Sequence, residues 1–388
     1  MHLVDITMFY AAEGGGVSTY LNAKAAWLAR RRHAHGAAFR HTIMSPNVET
    51  CGYTVPALVR IPAAGLPGFH GYRMPLTVGA PARLLAAARP DLVEAGDAGH
   101  CAWAALRLRR RHDIPAVAFY HSDLPRLVQP RLGDWIARGA CRYLANLYRQ
   151  FDLVLAPSRV MVQQLEAIGV HGAVHQPLGI DSGVFHPRRR DAALRRRLGL
   201  RDGTRLLVYA GRVTPEKKLG VLAEAVRKLG GRYHLLLVGA GGAAGSALPA
   251  GSNISRLPFE RDQRRLAALL AGCDVLVHPG DCETFGLIVL EAMACGLPVV
   301  AANGGGVAEL VDGDTGILAE PNSPDSLAGA IEAVYARDLG RIGLAARRKA
   351  VEHYDWERIL PQVLGRYAGL LAGYRHALPP PERVCVTD

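Results

Sequence analysis

Short apolar runs alternate with longer amphipathic stretches almost from one end of the chain to the other, and this alternation limits the fold more than any other feature. In the first half, Leu3–Met8, Val55–Ile61, Leu92–Glu94, Ala116–Tyr120 and Leu153–Ala156 read as strands. Between them, Val17–Arg31, Pro81–Ala88, Ala102–Arg111, Trp135–Gln150 and Arg159–Ala167 carry helical patterns. Strands and helices in strict alternation predict a parallel sheet covered by helices on both faces. A charge-rich segment, Pro187–Arg197, interrupts the pattern and it then begins again. Strands are expected at Leu206–Tyr209, Tyr233–Val238, Val275–His278, Val299–Ala301 and Gly316–Leu318. Helices are expected at Val221–Leu229, Arg261–Ala271, Leu287–Ala294 and Pro324–Arg337. The fold class is therefore α/β, with two Rossmann-like domains facing a cleft, spanning 1–183 and 184–355. A last helical stretch begins at Trp356, and 376–388 is a proline-rich tail expected to be loose. Ligands of open parallel sheets bind beyond the carboxyl ends of the strands, so the cleft suits a nucleotide-linked substrate.

Composition removes several classes. The 388 residues are 49% hydrophobic and 21% charged, enough apolar material for two cores. No apolar run reaches the length of about 18 residues that a spanning helix needs. Met1–Phe9 contains Asp5 and no basic run, so it reads as a first strand and not as a signal peptide. The seven cysteines are odd in number and contain no C-x-x-C pair, which points to reduced thiols in a cytoplasmic protein. The net charge of +12 permits an anionic partner without choosing one. Its arginine clusters (Arg30–Arg32, Arg109–Arg111, Arg188–Arg190, Arg195–Arg197) read mainly as solvated helix ends or linkers, with peripheral contact to an anionic membrane as the minority option. No nucleic-acid-binding pattern appears.

The strongest chemical signal is Glu283-Thr-Phe285-Gly286-Leu287-Ile-Val-Leu-Glu291. Two carboxylates lie eight positions apart around an expected helix start. That start offers free backbone N–H groups at about Gly286 and Leu287 and the positive end of the helix dipole, a site for a diphosphate. A carboxylate on either side can accept hydrogen bonds from hydroxyls: Glu291 from a ribose, Glu283 from a transferred sugar. Chance pairs of acids at this spacing are common; the surrounding strand–loop–Thr-Phe-Gly–helix context is what makes it specific. A second signal, Gly211-Arg212-Val-Thr-Pro-Glu-Lys217, follows a strand and places a guanidinium and an ammonium where they can grip phosphate oxygens. Taken alone it is equally well a solvated turn. A third, Gly14-Gly15-Gly16, lies between the first strand and first helix, where glycine permits close approach of backbone to ligand. Gly239-Ala-Gly241-Gly242-Ala-Ala244 fits a loose dinucleotide fingerprint, but Gly245, Pro249 and Gly251 argue against the helix that fingerprint requires, so a strand-end turn is the better reading.

Together with Pro177-Leu-Gly-Ile-Asp181…Phe185 and Asn303-Gly-Gly-Gly-Val-Ala-Glu309, these motifs resemble, in order and over nearly the whole chain, the retaining glycosyltransferases of family 4. The resemblance implies the GT-B fold, with a terminal helix (356–375 here) crossing back to the N-terminal domain, and transfer of a hexose from a nucleotide-diphosphate sugar. It implies that Arg212 and Lys217 hold the donor diphosphate, that Glu283 holds the donor sugar and Glu291 the ribose, and that Gly15 and Gly16 border the diphosphate and acceptor. His121, in Phe119-Tyr-His121-Ser-Asp123, matches a donor-sugar histidine, and Asp123 is a weaker acceptor-side candidate. One departure stands out: Leu178 occupies a position that is often asparagine.

The expected donor is GDP-mannose or a UDP-hexose, and the expected acceptor is lipid-linked, a glycan or a small molecule. No cofactor is expected. No aspartate-rich pair calls for a metal, so no metal site is expected and turnover is expected to be metal-independent. A sugar-nucleotide epimerase or phosphorylase on the same fold, or a catalytically silent binding protein, remains the alternative.

Overall fold

A computed structural model describes residues 1–10, 14–35, 39–50, 56–65, 73–239 and 251–377. Cys51, Cys385, most of the Gly239–Ala244 cluster, the start of the Val55–Ile61 run and the tail from 378 lie outside the described residues. The strands are β1 (His2–Ile6), β2 (Arg40–Ser45), β3 (Ala57–Arg60), β4 (Ala64–Gly65), β5 (Arg73–Met74), β6 (Leu92–Ala95), β7 (Ala116–Phe119), β8 (Leu153–Ala156), β9 (Val174–His175), β10 (Arg205–Ala210), β11 (Tyr233–Val238), β12 (Ile254–Leu257), β13 (Val275–His278), β14 (Val299–Ala302) and β15 (Gly316–Ala319). The first sheet runs β3-β2-β1-β6-β7-β8-β9 and the second β12-β11-β10-β13-β14-β15, both parallel; β4 and β5 form a separate antiparallel pair. Each large sheet reverses its winding once, between β1 and β6 and between β10 and β13. A crevice opens outside the carboxyl ends of the strands at such a switch point.

The structure adds elements that the sequence pattern does not predict and moves the start of one helix. β2 and the 16-residue helix Leu339–Tyr354 were not anticipated. β2 reads as polar (Arg-His-Thr-Ile-Met-Ser), yet five of its six residues are buried, because its polar groups find partners: His41 Nε2 lies 2.5 Å from Asp5 Oδ2, and His2 Nε2 2.9 Å from Thr42 Oγ1. The helix expected over Trp135–Gln150 begins eleven residues earlier, at Leu124, and bends at Gly133 (φ 79°, ψ 174°). Most of the described arginines of the clusters are exposed, and Arg109–Arg111 and Arg195–Arg197 stand at helix ends, as expected; some of them are paired as well. Arg109 pairs with Asp152 at 2.6 Å, and Arg195 bonds Asp274 at 2.6 Å, both partly buried.

The two lobes join where Ile180 N donates to Tyr354 O (2.8 Å) and Trp356 N donates to Ile180 O (3.0 Å). Gly179 is required there: a Cβ would lie 2.6 Å from the Trp356 ring. Leu178, the departure noted above, is simply buried in the core. Helix Trp356–Ala377 then crosses back onto the first lobe. Trp27 Nε1 donates to Glu357 (3.0 Å), Arg366 Nε to Gln176 Oε1 (2.8 Å), and the Tyr367 hydroxyl to Glu94 on β6.

Candidate active site

The second-lobe half of the site is assembled from the ends of β10 and β13. After β10 the chain turns at Gly211, whose φ of 152° and tight fit against Tyr209 (a Cβ would sit 2.9 Å from the hydroxyl) leave no room for a side chain. The Tyr209 hydroxyl donates to Arg212 O (3.1 Å) and holds the loop, while the Arg212 side chain is exposed. A single 3-10 turn, Pro215–Lys217, then carries Lys217 inward.

After β13, the loop from Pro279 to Gly286 leads into helix Leu287–Ala294, with Gly286 in the left-handed region at φ 101°. Valine crowding explains that glycine too, since a Cβ would lie 2.6 Å from Val307 Cγ2. Phe285 is buried beneath the turn. Gly304, Gly305 and Gly306 press against this loop: Cβ atoms there would come within 2.8 Å of Asp281 Cβ, 2.5 Å of Glu283 O and 2.4 Å of Thr284 O, respectively. Gly306 N also donates to Glu283 O at 2.7 Å. The triple glycine thus fixes the backbone from which Glu283 projects.

Glu283 forms an ion pair with Lys217, and His278 Nε2 lies 3.3 Å from the same carboxylate oxygen. Burial alone would raise the carboxyl pKa of Glu283; the Lys217 ammonium and the His278 imidazole more than reverse this, and it falls well below the ordinary value. It is a carboxylate, suited to accepting hydroxyl hydrogen bonds. Glu291, one turn inside the helix, differs. It is buried, no ion pair or hydrogen bond reaches its side chain among the described residues, and burial pushes its pKa up to about 7.

The first lobe closes the site. Gly14 and Gly15 both adopt positive φ (86° and 122°), and a Cβ on Gly16 would stand 3.4 Å from Leu287 Cδ1, so the glycine loop lies against the start of helix Leu287–Ala294. His121, just past β7, accepts through its backbone carbonyl from Thr284 Oγ1 (3.1 Å). Its ring stacks on Phe119 (4.3 Å between centroids), and Nε2 has no partner among the described residues. Burial, then the nearby Lys24 charge, lower its pKa to about 3, so the imidazole is neutral. Thr214 Oγ1 and His278 Nδ1 are likewise buried without partners among the described residues. Buried polar atoms are seldom left unpaired, and these three residues stand at or just past the ends of β7, β10 and β13, where a polar ligand could complete the bonding.

Similarity to known proteins identifies the family. Residues 14–184 match the family described as Glycosyltransferase Family 4, and residues 204–337 the one described as Glycosyl transferases group 1. A GDP-mannose-dependent alpha-mannosyltransferase of Mycobacterium tuberculosis is 33% identical over 305 residues, covering 75% of this chain and 77% of that protein. The chain belongs to glycosyltransferase family 4. A GDP-mannose-dependent alpha-(1-6)-phosphatidylinositol dimannoside mannosyltransferase of the same species is 29% identical over 97% of this chain and 98% of its own. Among solved structures, sucrose-phosphate synthase from Thermosynechococcus elongatus superposes with a TM-score of 0.81 at 21% identity, covering 96% and 100% of the two chains. An Anabaena protein in complex with UDP-glucose gives 0.75 at 20%, covering 95% and 100%. These structures show the same two-domain GT-B fold.

In this glycosyltransferase Lys217, Glu283, Phe285, Gly286 and Leu287 come together at one strand-end crevice, with Gly16 facing it and His121 reaching it through Thr284. Asp123 caps helix Leu124–Tyr148 through Oδ1, which accepts from Arg126 N (3.3 Å); burial raises its pKa, and its Oδ2 is buried without a partner among the described residues. His278 was missed because a strand-end histidine carries no motif of its own. Also missed was a cluster buried behind His121. There Lys24 Nζ contacts Asp5 (2.6 Å), Glu94 (3.1 Å) and the Tyr20 hydroxyl (3.2 Å). Burial opposes the charge on Asp5, but Lys24 and His41 outweigh it and its pKa is lowered; burial raises that of Glu94. Cys282, beside Glu283, donates to Asp281 (3.2 Å), and burial raises its thiol pKa to about 11, which leaves it a poor nucleophile.

Proposed function

We propose that this enzyme is a retaining hexosyltransferase that takes a hexose from a nucleotide-diphosphate sugar, GDP-mannose by preference, and delivers it to a lipid-linked or related acceptor at the cytoplasmic face of a membrane. The observation that carries the reading is the Lys217–Glu283–His278 cluster beside the N-terminus of helix Leu287–Ala294, opposite the Gly14–Gly16 loop. It juxtaposes an anion-binding helix end and an ammonium with a carboxylate that accepts hydroxyls. The mannosyltransferase relatives support GDP-mannose, and the phosphatidylinositol dimannoside enzyme supports a lipid-linked acceptor.

In this reading the diphosphate lies between Arg212, Lys217 and the N–H groups at Gly286 and Leu287. The ribose reaches Glu291 and the sugar reaches Glu283 and His121. The acceptor hydroxyl attacks the anomeric carbon from the face the diphosphate leaves. A C–O bond to the acceptor forms as the bond between anomeric carbon and diphosphate oxygen breaks. The bonding pair stays on the diphosphate, and a departing phosphate oxygen takes the acceptor proton. The barrier is lowered chiefly by stabilising charge on the leaving group, which Arg212, Lys217 and the helix end supply without a metal. Glu283, engaged by Lys217 and His278, holds hydroxyls and does not act as a nucleophile.

A thermal-shift panel of GDP, UDP and ADP with their sugar nucleotides tests the donor. Proton NMR of the new glycosidic linkage tests retention; an inverted anomeric centre would overturn that part. Transfer to an acceptor without added phosphate separates this activity from epimerisation and phosphorolysis.

A further inference from the structure

The geometry points to a bilayer-docking face on the first lobe, built from helices Leu124–Tyr148 and His100–His112, whose partner is an anionic phospholipid surface. The inference rests on the lipid-linked acceptor proposed above. At the Gly133 bend the chain stands out into solvent, with nothing within 4 Å of where a Cβ would be. Leu132 and Trp135 flank the bend and are 60% and 71% exposed. Large apolar side chains so uncovered at one corner, with an indole among them, match the way peripheral proteins enter the headgroup region. From that corner Trp135, Arg138 and Arg142 follow one another at helical spacing and all are exposed.

The neighbouring helix extends the face. Trp103 Nε1 donates to the Tyr143 hydroxyl (3.0 Å), which donates to Ala98 O (2.6 Å), so the two helices are tied side by side. Beside this tie, Val78, Trp103, Arg107, Arg110 and Arg111 line an open hollow of about 370 Å³, room for a phosphoryl headgroup. Charge singles out the partner. Residues 124–148 contain four arginines and one acid, Asp134, and residues 100–112 contain no acid. An anionic bilayer attracts such a surface, and a neutral one does not. Position completes the argument. Helix Leu124–Tyr148 starts immediately after His121–Asp123, and Arg126 Nη1 on its first turn donates to Asp281 O (3.2 Å) in the loop that carries Glu283. The docking face therefore continues to the mouth of the site, where a lipid-linked acceptor would enter without leaving the membrane.

The test is flotation of the full chain with vesicles of phosphatidylcholine alone, or of phosphatidylcholine with about one-third phosphatidylglycerol. Brominated acyl chains serve as a tryptophan quencher. The wild type should float only with the anionic vesicles and its emission should be quenched. The double variant Arg138→Glu/Arg142→Glu should lose partitioning by at least about tenfold, and Leu132→Ser/Trp135→Ala should lose most of the quenching. Both variants should keep the wild-type thermal shift with nucleoside diphosphates, which shows that they fold. Failure of the wild type to float, variants that float like it, or equal retention by a DNA duplex without quenching would each overturn the docking face. Absence of any nucleotide-induced shift in the wild type would instead overturn the transferase reading.

Discussion

Lys217 and Glu283, 66 residues apart in sequence, meet as an ion pair at the point where the two second-lobe loops converge. Each holds the other in place, so in the proposed reading a donor diphosphate that recruits Lys217 also frees Glu283 for a sugar hydroxyl. Lys217→Ala is expected to lower turnover by roughly ten- to a thousandfold, the range for loss of a charge contact to a transition state. Steady-state kinetics on folded protein would check it, and unchanged turnover would remove Lys217 from the chemistry.

Glu291 gives a pH-dependent prediction. Its folded pKa, about 7, lies above the ordinary carboxylic value of 4.5 because it is buried. An acid whose pKa is raised by folding binds more protons folded than unfolded, so stability falls as pH rises from about 4.5 to 7. In the proposed reading the ionised Glu291 accepts the ribose hydroxyls, so donor affinity should rise over the upper part of that window. Glu291→Gln should flatten both trends and weaken donor binding. A variant with wild-type donor affinity and an unchanged pH profile would contradict the role.

Glu309, in the motif Asn303-Gly-Gly-Gly-Val-Ala-Glu309, accepts from Arg159 N (3.0 Å) and Val160 N (2.7 Å) and so caps a first-lobe helix from the second lobe. Glu309→Ala should cost about 1–2 kcal/mol of stability, the usual effect of losing a helix cap. Denaturant titration would measure it, and a loss much below that would mean that other groups replace the cap.

Gly306→Ala places a Cβ 2.4 Å from Thr284 O, a backbone contact that cannot yield cheaply. The Glu283 loop must shift, and misplacement by about 1 Å can cost about a hundredfold in rate. An active variant with normal kinetics would show that the loop tolerates the displacement.

Because cationic side chains and a helix end are proposed to neutralise the leaving diphosphate, EDTA should leave turnover unchanged. Loss of activity on chelation, restored by a divalent cation, would refute metal independence.

Much of this molecule is legible in one sequence. Tyr233–Val238, Val275–His278, Leu287–Ala294 and Arg159–Ala167 have the bounds their patterns suggest. Strands buried on both faces are apolar throughout and helices repeat every three to four residues, so both are local signals. The strand–loop–helix contexts of Gly211–Lys217 and Glu283–Glu291 were readable for the same reason. β2 was not, because its polar residues are acceptable only once Asp5 on β1 stands beside them.

The alternating α/β architecture, its repetition and the residue types at each strand end are thus written within short windows of chain. Long-range packing settled the rest: which strand ends share a crevice, that Lys217 and His278 converge on Glu283, that Glu291 is buried with no partner among the described residues, and that Leu132 and Trp135 face outwards. Each of these depends on groups brought together from distant parts of the chain, where burial and charge at short range set protonation and contact, and no local pattern records them.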